Sequence, residues 1–574
     1  MGNVKAQRLS IAVIVLAAIG LFALYFAGMG SYPLVDPDEP VYGQVAKEMA
    51  AGAGWLTPHY DGKPWFDKPP LFYWLSGGCA KLLGPTELAN RMPSAVLAVA
   101  VLLWLYFLVK HDFGRRAALF ASVVMATCIQ MIVLARAAVT DMTLVFCLIG
   151  ALYAYRRWFD EVESPKSKVE SREGRSLPFY SLFPIPYSLK WMALCGAMTG
   201  LGMLAKGPVA PFLLFVTFLI HLCVSRRLRR LVSVDALAGI AAALIVGLPW
   251  YAAMYAIHRD AFVQGFIVAN NLARFVKPEH SATTGGWYSY FLNVPVLLVF
   301  FFPWSVFLPS GILRFRGAND GSRLAAIWIG VVFVFFSLSK TQLVTYIFPL
   351  YPAAALFVGV LLDRAASGDN GSDGTARRCL VAVLAMSALL TAALPMLAWS
   401  KYPEATVAAC WMGEALVLAA GIALRDKPAR AVWTIGTGMA VFVLVLMLGV
   451  VPKIAPAVST RDIVRSIPRA PGDRVAEYGL RKPSLLFYLG FTPQRLLGVD
   501  DAKRLLGGKV STWVICKDRE APLLRIPGCA ETTRMGGFVV IANESAIVGA
   551  TLRGRPKAGT ETGHYGAGKG SAHK

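Results

Sequence analysis

The chain has 574 residues, of which 56% are hydrophobic and only 16% charged, with a mean hydropathy of +0.55. That balance excludes a soluble multidomain enzyme and describes a polytopic membrane protein. A formal net charge of +23 does not signal nucleic acid here, because most basic residues fall in short stretches between apolar segments, where membrane topology accounts for them.

About 20 apolar residues cross a hydrocarbon core. Thirteen candidate spans follow in chain order: 9–29, 92–109, 117–134, 137–158, 191–204, 208–224, 237–257, 291–313, 324–338, 343–362, 380–399, 405–424 and 432–451. The first follows Lys5 and Arg8, as a signal peptide would, but shows no small-residue cleavage site and is read as a span. With the amino terminus inside, every second loop is basic: Arg115 and Arg116, Arg156 and Arg157, Arg226 to Arg230, then Arg314, Arg316 and Arg323. The pattern continues through Arg364, Arg377 and Arg378 and ends at Arg425, Lys427 and Arg430. The other loops then face outward. They comprise a long first loop (30–91), turns near Arg136 and Lys206, a second large loop (258–290), the turn at 339–342, and everything after the last span.

The fold class expected is therefore an α-helical polytopic membrane protein with about 13 transmembrane helices over residues 1–452. After it, runs such as "DRVAEYG", "STWVICKD" and "GGFVVIAN" alternate with helix-like "TRDIVRSI" and "PSLLFYLG", which predicts a small α/β domain over 453–550. Residues 551–574, rich in Gly, Lys and His, read as a disordered tail. Cys516 and Cys529 lie in the outer domain, where a disulfide and two free thiols are both open. The seven remaining cysteines sit in or beside apolar segments and read as packing residues.

The first outer loop begins "DPDEPVYGQVAKEM". A short helix is expected between Tyr42 and Met49, with Asp38 and Glu39 near its amino terminus, where the helix dipole favours acids. Capping alone would explain them. Yet Trp55, Trp65, Phe66, Tyr73 and Trp74 mark the loop as interfacial, and carboxylates held there are costly unless they bind something. Asp141 in "VTDM", Lys206 in "LAKGP" and Lys340 in "LSKTQ" each have a plain reading as a cap or a snorkelling cation. Their shared membrane face is harder to explain that way. The second large loop adds Arg274, whose planar fork suits a phosphate, together with Asn270 and Asn271. His258, Glu279 and His280 lack metal-type spacing, so the sequence shows no cofactor requirement and leaves a divalent metal open. Glu414, near the middle of the twelfth span, is an intramembrane acid without a recognisable partner.

The loop from Asp36 to Trp74, followed in order by "VTDM", "AKGP", "LARF" and "LSKTQLVTYIFPLYP", resembles the bacterial polyprenyl-phosphate-sugar glycosyltransferases of the GT-C fold. These are similar to protein O-mannosyltransferases, and the likeness is greatest to the lipid A aminoarabinose transferases. The resemblance implies an inverting glycosyltransferase with catalytic Asp38, Glu39 and Asp141, and with Tyr42, Lys68, Lys206, Arg274, Lys340 and Tyr346 binding substrate. It implies an undecaprenyl-phosphate-linked aminosugar donor, a lipid A acceptor, membrane lipids as partners, no nucleic acid, a monomer, and an inner-membrane location with a periplasmic active site. The chain departs from many relatives after the Asp-Glu pair, where Pro40 and Val41 replace a basic residue. Two other readings stay open: the same fold acting on a protein hydroxyl, hopanoid or glycan, and a lipid-linked sugar flippase. Against the flippase stands the absence of an internal repeat.

Overall fold

Residues 19–163, 187–273 and 290–552 are described by the computed structural model. The chain forms two compact units, Met1–Ala455 and Pro456–Lys574. Among the described residues, seven helices are long and apolar enough to cross a membrane: Glu87–Thr127, Val234–Ala273, Asp320–Leu338, Phe348–Ala366, Asn370–Lys401, Pro403–Arg425 and Pro428–Val458.

That count differs from thirteen for local reasons. Glu87–Thr127 carries two predicted spans, because Gly114 adopts φ 87° in its interior and breaks one long rod into two. The fourth and fifth predicted spans are the helices Asp141–Glu163 and Tyr187–Lys206, and Val209–Val224 is a shorter apolar helix. The eighth predicted span is not one helix. It breaks into Asn293–Phe300, a 3-10 turn at Trp304–Val306 and Leu308–Phe315, around Pro303, which has no N–H to continue the ladder. Most of the first predicted span lies outside the described residues, as does the predicted tail from 553 onward.

Without a hydrophobic drive between helices in lipid, close packing of small residues takes over. Gly196 and Gly200 press Tyr187–Lys206 onto Val234–Phe262: a Cβ on Gly200 would sit 2.7 Å from the Ala243 carbonyl, and one on Gly196 would overlap that of Gly239. Tyr351–Ala366 is the buried central helix, against which Gly359 lets the backbone at Ala121 approach. Buried indoles find acceptors there: Trp304 Nε1 donates to Thr127 Oγ1 at 3.0 Å, and Trp328 Nε1 donates to the Pro349 carbonyl at 2.7 Å.

The first outer loop is built rather than slack. Its helix is Asp38–Ala50, four residues longer at the start than expected from Tyr42. A two-stranded hairpin follows, β1 (His59–Tyr60) and β2 (Lys63–Pro64), whose turn amides at Asp61 and Gly62 donate to Glu48 at 2.8 and 3.1 Å. Leu71–Leu83 then returns the chain to the membrane helices.

The carboxy-terminal unit is a five-stranded sheet in the order β4-β3-β5-β7-β6, with β3 Arg474–Tyr478, β4 Gln494–Leu496, β5 Thr512–Lys517, β6 Cys529–Met535 and β7 Phe538–Asn543. β3 runs parallel to β4 and β5, and β7 is antiparallel to β5 and β6. Strand alternation divides its core in two: Trp513, Ile515 and Val540 pack on one face, Val514, Cys516 and Val539 on the other. Both cysteines of this unit are free thiols, which settles the choice the sequence left open.

Candidate active site

Asp38 is the first residue of its helix, and Pro37 precedes it as an N-cap without a side-chain hydrogen bond. The carboxylate therefore does not cap its own helix. Its side chain opens on a cavity walled by Pro37, Val41, Tyr42, Trp65, Phe66, Asp67, Gly265 and Asn270. The enclosing protein raises its pKa above the ordinary aspartate value: desolvation is the largest cause, the Asp141 charge adds to it, and Lys68 opposes it.

A second cavity shares Asp67 and Asn270 with the first and is lined by Lys68, Lys206, Phe266, Asn271, Thr341 and Tyr346. Lys206 Nζ donates to Asp141 Oδ1 at 2.8 Å and stands 4.9 Å from the centre of the Tyr346 ring. Lys68 Nζ pairs with Asp67 Oδ1 at 3.0 Å. Tyr42 is buried against Phe72 and Tyr73, with ring centres 6.0 and 5.8 Å away. Burial, followed by the charge of Asp67, drives its hydroxyl well above the usual phenol value, so it meets the cavity as a neutral donor. Asn270 and Asn271 come from Val263–Ala273, a π-helical stretch in which Asn270 Nδ2 donates to the Phe66 and Gly265 carbonyls at 3.2 and 2.9 Å. Such distortions commonly aim side chains into sites.

Residues more than 300 positions apart thus converge on two adjoining cavities: Asp38 and Tyr42 line one, Lys68, Lys206 and Tyr346 the other, and Asp141 holds Lys206. Lys340 does not line either cavity; it is exposed and donates to the Tyr290 hydroxyl at 3.2 Å. Arg274 lies outside the described residues, as do Glu279 and His280. Among the described residues, no three His, Cys, Asp or Glu side chains gather as a metal site. Glu414 sits exposed on Thr406–Arg425.

Glu39 is placed differently from its neighbour. It is buried, its Oε1 accepts from Arg91 Nε and the Ala138 amide at 2.9 and 2.7 Å, and its Oε2 accepts from Arg91 Nη2 and the Val35 amide at 2.7 and 2.8 Å. Four hydrogen bonds from the protein thus engage this carboxylate, and Glu39 lines neither cavity. Sequence reasoning also passed over Arg91 and Asp67. Arg91 closes the first outer loop just before an apolar run, and Asp67 stands in "FDKPP" beside Lys68.

The family model for dolichyl-phosphate-mannose-protein mannosyltransferases matches residues 67–165, a stretch that includes Lys68, Arg91 and Asp141. Among curated relatives, undecaprenyl phosphate-alpha-4-amino-4-deoxy-L-arabinose arabinosyl transferase 2 of Pseudomonas fluorescens is 29% identical over 384 residues, covering 66% of this chain and 61% of that one. The similarly named protein of Pseudomonas aeruginosa (strain PAO1) is 29% identical over 364 residues, covering 62% and 60%. The chain spans about 60% of the length of these relatives. ArnT from Cupriavidus metallidurans bound to undecaprenyl phosphate superposes with a TM-score of 0.75 at 23% identity, over 92% of this chain and 98% of that one. Its apo form matches with the same score over 95% and 99%. The resemblance read from the first outer loop is borne out by these homologues, and the membrane fold is the one it implied.

Proposed function

We propose that this chain, a polytopic membrane protein with the fold of the aminoarabinose transferases, moves 4-amino-4-deoxy-L-arabinose from undecaprenyl phosphate to a phosphate of lipid A. In this reading it works as a monomer in the inner membrane, with its cavity open to the periplasm. The observation that carries the reading is the joint cavity, where the Asp38 carboxylate faces Lys68 and the Lys206–Asp141 pair beneath aromatic walls. An apolar groove supports it: Phe212, Val216, Ile220, Val331 and Val334 form its sides, and Phe335 is shared with the charged cavity. A polyprenyl chain fits such a groove while its phosphate meets the lysines.

In the reaction an acceptor phosphate oxygen attacks the anomeric carbon and forms the new C–O bond. The bond from that carbon to the donor phosphate breaks, its electron pair leaves with undecaprenyl phosphate, and the configuration inverts. Lys68 and Lys206 oppose the charge on the departing phosphate, a contribution of about 3 kcal/mol for a well-placed donor. Arg274 keeps the role that resemblance gives it. An anionic phosphate acceptor carries no proton to remove, so Asp38 orients the reacting groups. A hydroxyl acceptor would need Asp38 as base, for which its raised pKa is suited.

The test is to offer the purified protein the aminoarabinose lipid donor with lipid A in one tube and a hydroxyl-bearing glycan in another. The reading expects donor consumption and a mass gain on lipid A alone. Donor consumption with unchanged lipid A would remove the acceptor assignment and keep the enzyme.

A further inference from the structure

We propose that Arg91 and Glu39 form a positioning clamp that sets the distance between Asp38 and Asp141, neither clamp residue touching substrate. The inference rests on the active-site reading above.

Arg91 is wholly buried, and each of its five N–H donors is used. Nε and Nη2 grip Glu39 at 2.9 and 2.7 Å, Nη2 also donates to the Pro33 carbonyl at 2.7 Å, and Nη1 donates to the Met29 and Tyr32 carbonyls at 2.8 and 2.9 Å. Those carbonyls belong to the non-helical chain that leads into Asp38. Glu39 is the residue after Asp38, so its side chain fixes the helix start that presents the reacting carboxylate.

The same carboxylate reaches a second segment. Glu39 Oε1 accepts from the Ala138 amide at 2.7 Å, and Ala138 lies in the turn that ends at Asp141. A second arginine braces that turn from its other end: Arg136 Nη1 and Nη2 donate to the Leu24 and Ala27 carbonyls at 3.0 and 2.6 Å, and the Arg136 carbonyl accepts from the Tyr32 hydroxyl at 3.2 Å. One ion pair thus joins the membrane exit, the start of Glu87–Thr127, the residue beside Asp38 and the turn before Asp141.

Stability alone is a poor reason to keep such a pair. A buried Arg–carboxylate pair is often no better than apolar residues of equal volume, because desolvation offsets the attraction. What it supplies is fixed geometry, since a planar fork with every donor used permits few alternative arrangements. The segments that carry Asp38 and Asp141 are thereby tied through one carboxylate, Glu39, which accepts from the Val35 amide ahead of the one and from the Ala138 amide ahead of the other.

The experiment uses the full-length protein in detergent, with Glu39→Gln and Arg91→Lys compared by hydrogen exchange and by donor kinetics. Expected are amides in 136–141 that exchange about tenfold faster, unchanged exchange in Asp320–Leu338, and kcat lower by about tenfold or more with donor KM within about threefold. Wild-type protection of the turn, or an unchanged kcat, overturns the proposal. If neither variant is recovered folded, Ala138→Pro carries the same expectation, because it deletes the bridging N–H and leaves the ion pair in place. Asp38→Asn in the same assay separates the two claims: full activity there defeats the active-site reading, whereas the exchange result tests the clamp by itself.

Discussion

Lys206 donates to Asp141 across 2.8 Å, beside the ring of Tyr346, and so joins the end of helix Tyr187–Lys206 to the start of helix Asp141–Glu163. The pair is largely buried, with side-chain exposures of 14% and 12%. Removing either partner strands the other charge, which costs about 3–5 kcal/mol. Lys206→Met and Asp141→Asn should each lower the thermal midpoint and abolish transfer, while the double variant recovers the midpoint without activity. Recovery of activity in the double variant would show that the pair serves packing only.

Asp38 gives a pH dependence with a defined sign. Its folded pKa lies above the ordinary aspartate value, so it is ionised only above that raised value. Transfer should therefore fall on acidification with a midpoint higher than a solvated aspartate would give. The folded state binds the proton more tightly than the unfolded one, so this group's contribution to stability declines as pH rises from the unfolded value through the folded one. At neutral pH, Asp38→Asn should melt at or above the wild-type temperature while losing transfer. A clearly lower melting temperature would mark Asp38 as structural.

Tyr42→Phe keeps the ring contacts with Phe72 and Tyr73 and removes only the hydroxyl at the cavity wall. Transfer should drop about tenfold, the value of one hydrogen bond to a charged group, with the melting temperature unchanged. Steady-state kinetics with the lipid donor would measure it, and an unaltered rate would take Tyr42 out of the site.

Packing offers a control away from the chemistry. Gly200→Val places a side chain against the Ala243 carbonyl and the Gly247 amide, with no flexible neighbour to yield. Overpacking there should cost about 1–3 kcal/mol and lower the melting temperature in detergent. The same substitution at Gly421, where a Cβ meets nothing within 4 Å, should leave the melting temperature unchanged.

The sequence made the membrane class and most of the site legible because both are written in local terms. Apolar runs show the spans, and charges in otherwise ion-poor outer loops show where chemistry gathers. Tyr346 entered only through resemblance, yet the fold brings the centre of its ring to 4.9 Å from Lys206 Nζ. Hydropathy did separate the two halves of Glu87–Thr127 at the charged stretch around Gly114, but it could not see that Pro303 breaks the eighth predicted span, because that proline is a single residue inside an apolar run. Nor could it separate Asp38 from Glu39. Adjacent acids at a helix start look alike until Arg91, 52 residues from Glu39, takes one of them and leaves the other facing the cavity. Lys340 shares the outer face with these residues, but a loop sequence does not show that its nearest partner is the Tyr290 hydroxyl rather than a cavity wall.

The most direct measurement is the mass of lipid A after incubation with the aminoarabinose lipid donor and purified protein, run beside Asp38→Asn of equal melting temperature. The account predicts one added aminoarabinose with the wild type and none with the variant. Unmodified lipid A with folded wild-type protein, or equal addition by Asp38→Asn, would contradict it.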